Sequence, residues 1–375
     1  MMLDKSSRRQ IAIQSIAIAA VVAIALWFVG NISSSLRASG IALDFRFLSL
    51  PASFELGESL LPFKSGDSIG RAFLAGVSNT LSVSALCIVF ATLIGVLVGV
   101  ARLSADTLLS RVAFGYVETI RNTPLLLQLL FWYTLFTAGL PPPRQAISYF
   151  NCVFLTNRGV FLPSLTPWGW SLASGGLLGL SMGTAVAWRY APKRLRLPVL
   201  VLVGLVVPIL GSIVWSIAGA ATLVCPRLQV FNITGGASLS TEFLAILLAL
   251  SLYASSYISE VVRGSIAAVP QGQIEAAKAL GLRPGRILWL VVMPQALKSM
   301  IPPMASQYLG LLKSSSLAVA VGYPDLVRVS IVAVSQTGRA VECMTIVMLV
   351  YLSISLSIAM SMNIYNRHRL RKALE

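Results

Sequence analysis

The chain has 375 residues, 56% hydrophobic and only 11% charged, where ordinary soluble domains carry about a quarter charged residues. That balance excludes a soluble protein. The formal charge of +16 does not indicate nucleic acid, because the bases are scattered between apolar runs and not gathered on one domain. One histidine (His368, in a basic tail), no Gly-Lys-Ser/Thr phosphate loop and no metal-ligand spacing argue against catalysis, ATP hydrolysis or metal binding by the chain itself.

About twenty apolar residues cross a bilayer as a helix, and several runs reach that length. Lys5, Arg8 and Arg9 precede the uncharged run Ile11 to Val29, which reads as a retained first span with a cytoplasmic N-terminus. Residues 31–71 form an outer loop in which Asp44, Glu55, Glu58 and Asp67 offset the bases. The second span is expected from about Val77 to Val100, with Gly95 and Gly99 as a small-xxx-small pair for close helix contact. Pro124 opens a third span reaching Leu140. The loop that follows contains Asn157-Arg158-Gly159, and Trp168 and Trp170 mark an interface before a fourth span at Ser171 to Trp188. Arg189, Lys193, Arg194 and Arg196 lie inside, ahead of a fifth span at Val199 to Ala220.

The sixth span is placed at Thr241 to Val262, a polar loop at 263–298 and the seventh span at Ser299 to Val321. An outer loop or re-entrant piece covers 322–340, and an eighth span runs from Val341 to Met362. The expected fold is thus all-α, with about eight transmembrane helices. Both termini and the polar loop then fall in the cytoplasm, with most of the 29 Lys and Arg on that side. Cys152 and Cys225 fall in outer loops where pairing is possible, but free buried or interfacial thiols are the expectation for all four cysteines.

Within the polar loop, good helix formers favour a helix from Gln271 to Leu280, ended by Gly281 in a left-handed conformation. Pro284 then opens a second helix that carries Arg286, Ile287, Trp289 and Val291 toward the bilayer. The expected product is a cytosolic knob with Ala276 and Ala277 on its face.

Glu275-Ala276-Ala277, three residues, Gly281, nine residues, then Val291-Val292-Met293-Pro294 resembles the E-A-A loop of ATP-binding cassette (ABC) importer permeases. Val291 and Met293 replace the family's Ile and Leu. The tract Tyr116-Val-Glu118-Thr-Ile-Arg121-Asn122-Thr123-Pro124-Leu-Leu-Leu-Gln128 is similar to a signature of polar amino-acid permeases, with Asn122 as a departure from the usual Gly. Ser255 to Gly264, Pro294-Gln295-Ala296-Leu297 and Leu312-Lys313-Ser314-Ser315-Ser316-Leu317 resemble further tracts of that family.

The resemblance implies a type I importer permease core in two parts, 77–140 and 242–375. To these the chain adds a first helix and periplasmic loop at 1–76 and an inserted segment at 141–241 with two extra transmembrane helices. This layout looks like the long membrane subunit of general L-amino-acid importers. The implied setting is a bacterial inner membrane, and the implied partners are an ABC ATPase dimer, a second homologous permease, a periplasmic amino-acid-binding protein and an L-amino-acid substrate. ATP and Mg belong to the ATPase, and no cofactor belongs to this chain. Glu275, Ala276, Ala277, Gly281 and Pro294 are the residues expected to couple to the ATPase.

Charges inside spans are costly and therefore candidates for function. Lys313, with Ser314, Ser315 and Ser316, is read as meeting the substrate carboxylate or lining its path; the alternative is that Lys313 snorkels outward or pairs with Glu342 or Asp325. Glu118 and Arg121 either bond to each other or contact a partner, and Glu260 with Arg263 forms an interfacial ion pair. The rival functions are an ion-coupled secondary transporter, which ordinarily shows internal repeats, and a non-transporting scaffold.

Overall fold

The structure, a computed structural model, describes residues 44–166, 222–229 and 232–374, with short helical pieces between 13 and 34. The predicted fourth and fifth spans lie outside the described residues, as does part of the first. Side chains beyond residue 360 are likewise not described.

Among the described residues, four helices are long and apolar enough to cross a membrane: Ile69–Ala101, Thr241–Ala267, the continuous Pro284–Val321, and Ala340–Met360 within a longer terminal helix. In chain order the helices are α1 (Ile69–Ala101), α2 (Thr107–Asn122), α3 (Leu125–Gly139), α4 (Thr241–Ala267), α5 (Gln271–Ala279), α6 (Pro284–Ile287), α7 (Met293–Ser314), α8 (Leu326–Thr337) and α9 (Ala340–Leu374). At 15 residues, α3 is shorter than the roughly 20 that a bilayer core requires.

The most extensive packing joins α1 to α4, and glycine makes it possible. A β-carbon on Gly95 would lie 2.6 Å from Ile258 Cγ2, and one on Gly99 would lie 2.8 Å from the Ser259 carbonyl oxygen. The predicted small-residue pair is thus the surface on which α4 rests, with Ile258 and Val262 filling the notches. Around this contact Val83, Cys87, Ala91, Ile246, Ala249 and Leu250 complete a core of small and branched side chains. Cys87 and Cys343 are free and buried, as expected.

Two sequence boundaries shift. Helix α1 starts at Ile69, not near Val77, because Ser68 caps it by accepting from Arg71 N. Of the two readings of 322–340, a re-entrant piece or a loop, the plain loop does not hold: after Gly322 and the Asp325 cap, which accepts from Arg328 N at 2.8 Å, α8 buries Leu326, Val329 and Ala333. Its twelve residues are too few for a span, so length screening overlooks it. Asn79 ties this end together, donating to the Glu58 and Pro324 carbonyls at 2.9 Å each and accepting from Leu60 N.

The described part of the insertion is β-structure, an addition to the all-α expectation. Strands β1 (Ile147–Tyr149), β2 (Val153–Thr156), β3 (Gly159–Leu162) and β8 (Ala237–Ser240) form an antiparallel sheet in the order β1-β2-β3-β8. Two ribbons pair β4 (Ser164–Thr166) with β5 (Thr222–Val224) and β6 (Arg227–Leu228) with β7 (Ile233–Thr234). Branched and aromatic residues suit these strands, and Gly159, at φ +128, comes so close to Leu239 that no side chain fits. Cys152 and Cys225 form a disulfide across this unit, which overturns the expectation of free thiols there. Distance in sequence hid a proximity that the sheet creates.

Overpacking the α1–α4 contact costs roughly 1–3 kcal/mol, so Gly99→Leu is expected to lower the melting temperature of the detergent-purified protein by several degrees. Gly115→Ala, with nothing within 4 Å of the added β-carbon, is expected to leave it unchanged. Equal melting of all three proteins, followed by fluorescence-detected gel filtration, would contradict this packing.

Candidate functional site: the coupling helix and the polar face of α7

Helix α5 ends as the sequence predicts. Gly281 takes φ +74, its N–H donates to the Lys278 carbonyl at 2.9 Å, and the Leu282 N–H donates to the Ala277 carbonyl at 3.2 Å. These two bonds are the Schellman closure, and the side chains of Ala277 and Leu282 join the main core. Ala277 is therefore buried and turned toward the core, whereas Glu275, Ala276, Ala279 and Leu280 are exposed. The knob's outward surface does not include Ala277, which correlates instead with how α5 is held. Leu280, 81% exposed, is an apolar residue on that surface that sequence reasoning missed.

Pro284 stands at the start of α6, as expected. From there one helical path runs to Val321, so the membrane-entering helix begins well before Ser299 and the loop joining it to α4 shortens to 268–283. A π-helical turn over Leu288–Val292 precedes Pro294, which lacks the amide hydrogen that a regular turn needs. Pro294 thus shapes the helix that leaves the knob and is not part of α5 itself.

The signature tracts bind each other. Tyr116 OH lies 2.7 Å from Ser255 Oγ, and Gln128 Nε2 donates to the Ile120 and Thr123 carbonyls, closing the end of α2. Glu260 of α4 gathers three arginines from three helices: Arg102 at the end of α1, Arg121 of α2 at 3.6 Å, and Arg263 one turn along α4 at 2.9 Å. Arg121 also lies over the Tyr257 ring, 5.1 Å from its centre. Glu118 instead accepts from Asn122 within α2, and Arg121 turns to Glu260 on α4, so of the two expected roles the Glu118–Arg121 bond is not made. The Glu260–Arg263 pair forms as expected, within this larger cluster.

The four candidates on α7 separate. Lys313 is exposed and makes no salt bridge to Glu342 or Asp325; Glu342 pairs with Arg339. Ser315 is fully buried and donates to the Leu312 carbonyl at 2.6 Å, so its hydroxyl faces no path and leaves the set. Ser314 is partly exposed, and Ser316 donates to the Lys313 carbonyl at 2.8 Å. Ser299, Pro302, Ser306, Gly310 and Lys313 are exposed at helical spacing along α7, a small and polar stripe on a membrane-crossing helix. A stripe of this composition is unsuited to lipid.

Arg102 has a side chain 9% exposed and Arg121 one 37% exposed. Arg102→Gln should therefore destabilise the protein by on the order of 2 kcal/mol, and Arg121→Gln by less than about 1 kcal/mol. Thermal melts of the two variants in one detergent check the order, and a reversed order would contradict the geometry.

Residues 175–372 match the family model described as "Binding-protein-dependent transport system inner membrane component". The chain is 42% identical to the putative amino-acid ABC transporter permease protein YhdX of Escherichia coli, across 94% of this chain and 92% of that protein. It is 39% identical to the general L-amino acid transport system permease protein AapQ of Rhizobium johnstonii, across 96% and 91%. Among solved structures, an amino acid ABC transporter crystallised with histidines superposes with a TM-score of 0.50 at 21% identity, covering 80% of this chain and 94% of that one, a likeness of fold. The chain belongs to the family of inner-membrane components of binding-protein-dependent transport systems.

Proposed function

We propose that the chain is a membrane-spanning permease subunit of an ATP-driven importer of L-amino acids, receiving substrate from a soluble binding protein and working beside a second, related permease. Its long relatives, 36–42% identical, are named as permeases for amino acids. This family context favours the permease over an ion-coupled carrier or an inert scaffold. In such transporters ATP is hydrolysed on a separate subunit, and the present chain is not an enzyme.

The observation that carries the proposal is the arrangement of α4. Its first turn adjoins the disulfide-linked β unit, and its last turn leads into α5. A disulfide persists in an oxidising compartment, which supports placing the β unit outside and α5 in the cytoplasm, with the C-terminal basic tail on the same side. In that orientation Glu275, Ala276, Ala279 and Leu280 offer an ATPase a compact surface, which is the role proposed for α5. Ala277 and Leu282 join the main core, and α5 packs on α6 and on the turn at Leu288–Val292, so force applied to α5 is carried through that turn into α7. Gly281 holds the joint, and any other residue there takes on strain at φ +74.

Import of a zwitterion requires polar groups that replace water around its carboxylate and ammonium. We assign this to the stripe on α7, where Lys313 offers a cation and Ser299 and Ser306 offer hydroxyls, with Ser314 and Ser316 beside its end. The stripe then faces the second permease and the passage between them. A face of Lys and Ser left toward lipid would be costly, and this supports the assignment.

Glu275→Lys combined with Gly281→Asp is expected to leave membrane insertion intact and abolish ATP-dependent uptake in proteoliposomes, while the ATPase subunit keeps its own hydrolysis. Normal uptake by this variant would remove the coupling role. Lys313→Met is expected to reduce uptake at least about tenfold, equivalent to about 1.4 kcal/mol, with ATPase assembly unchanged. Wild-type transport kinetics would take Lys313 off the path.

A further inference from the structure

The β unit has a charge pattern that membrane topology does not explain. From residue 119 to residue 241 the chain contains no Asp or Glu, and the described part of the unit exposes Arg144, Arg158 and Arg227. Outer segments near spans ordinarily carry few bases, because Lys and Arg retain loops in the cytoplasm. Glu58 and Glu242 lie at the β8–α4 junction, but the strands and turns of the unit itself carry only bases, and a basic surface attracts a partner of opposite charge and speeds its encounter.

The unit is also built to hold a shape. The β1–β2 hairpin turns at Phe150 and Asn151, with φ values of 53 and 54, a left-handed conformation that is costly for a bulky side chain. The next residue, Cys152, is fixed to Cys225 by the disulfide. At this turn Phe150 is 96% exposed, and Ile147 and Tyr149 are exposed on the adjoining edge strand. Aromatic side chains and arginines together are the composition enriched at protein interfaces. The unit joins α4 directly: Ser240 ends β8, accepts from Phe243 N at 3.1 Å as the cap of α4, and donates to Glu58. A load on the sheet therefore reaches the helix that carries Glu260 and leads to α5.

We propose that this β unit is a docking platform for the soluble binding protein, with an acidic lobe of that protein set against Arg144, Arg158 and Arg227 and Phe150 as an apolar anchor. The proposal rests on the importer assignment above. A folded protein is favoured over anionic lipid because the arginines come from a 3-10 turn, the β2–β3 turn and strand β6. Lipid-binding bases instead cluster in a short run beside a span or along an amphipathic helix.

The test uses the full transporter in nanodiscs, of phosphatidylcholine alone and with added phosphatidylglycerol. ATPase rate is followed against the concentration of an amino-acid-binding protein prepared from the same periplasm. Arg158→Glu with Arg227→Glu is expected to raise the half-saturating concentration at least about tenfold at low salt, with basal and saturated rates unchanged and the disulfide intact by alkylation. The Arg→Lys pair should behave as wild type, and Phe150→Ala should also raise the half-saturating concentration. An unchanged half-saturating concentration in the Glu variant overturns the platform, and so does a shift confined to the phosphatidylglycerol discs, which would identify lipid as the occupant. Absence of stimulation of the wild-type transporter by the binding protein would instead overturn the importer assignment itself.

Discussion

Among the described residues, Glu260 is the carboxylate on which the ends of α1, α2 and α4 nearest α5 converge, through Arg102, Arg121 and Arg263. Three guanidinium groups at a membrane boundary repel one another, and a single acid at their centre turns that repulsion into a joint. The close approach of Gly95 and Gly99 to α4 brings Arg102 within reach of Glu260. The joint in turn fixes the end of α4 from which α5 departs. Helix α5, proposed above as the coupling element, thus departs from a rigid corner rather than from a free loop.

Much of this was legible in the sequence, and the reasons are physical. Gly281 and Pro284 each have one conformational use at a helix boundary, and both serve it. The glycine pair on α1 likewise has one use in an apolar helix, close packing. Pairing between distant tracts was less legible: Glu118 and Arg121 share a helix, so a local bond is the natural expectation, yet α4 supplies Arg121 with a better-placed acid. The burial of Ala277 and Ser315 was hidden for the same reason, since a neighbour's position decides which side of a helix is inward. The Cys152–Cys225 pairing was open as a possibility but not the expectation, because the strands that bring the two together lie at both ends of a long insertion.

The two ends of α4 have opposite characters. One end meets a sheet stiffened by a covalent cross-link and close backbone contacts; the other ends in short helices held by Ala277, Leu282 and the Glu260 cluster. A rigid rod between the two proposed docking surfaces would pass a displacement at one end to the other with little loss, since packed interiors deform poorly. Helix α7, which carries the exposed polar stripe, packs alongside this rod and would be moved by it.

The account depends most on α5 lying in the cytoplasm and being covered by the ATPase. A cysteine placed at Ala276 in membrane vesicles of known sidedness, treated with an impermeant maleimide, reports both. The account predicts labelling only in inside-out vesicles and protection when the ATPase subunits are bound. Labelling from the outer face, or equal labelling with and without the ATPase, would contradict it.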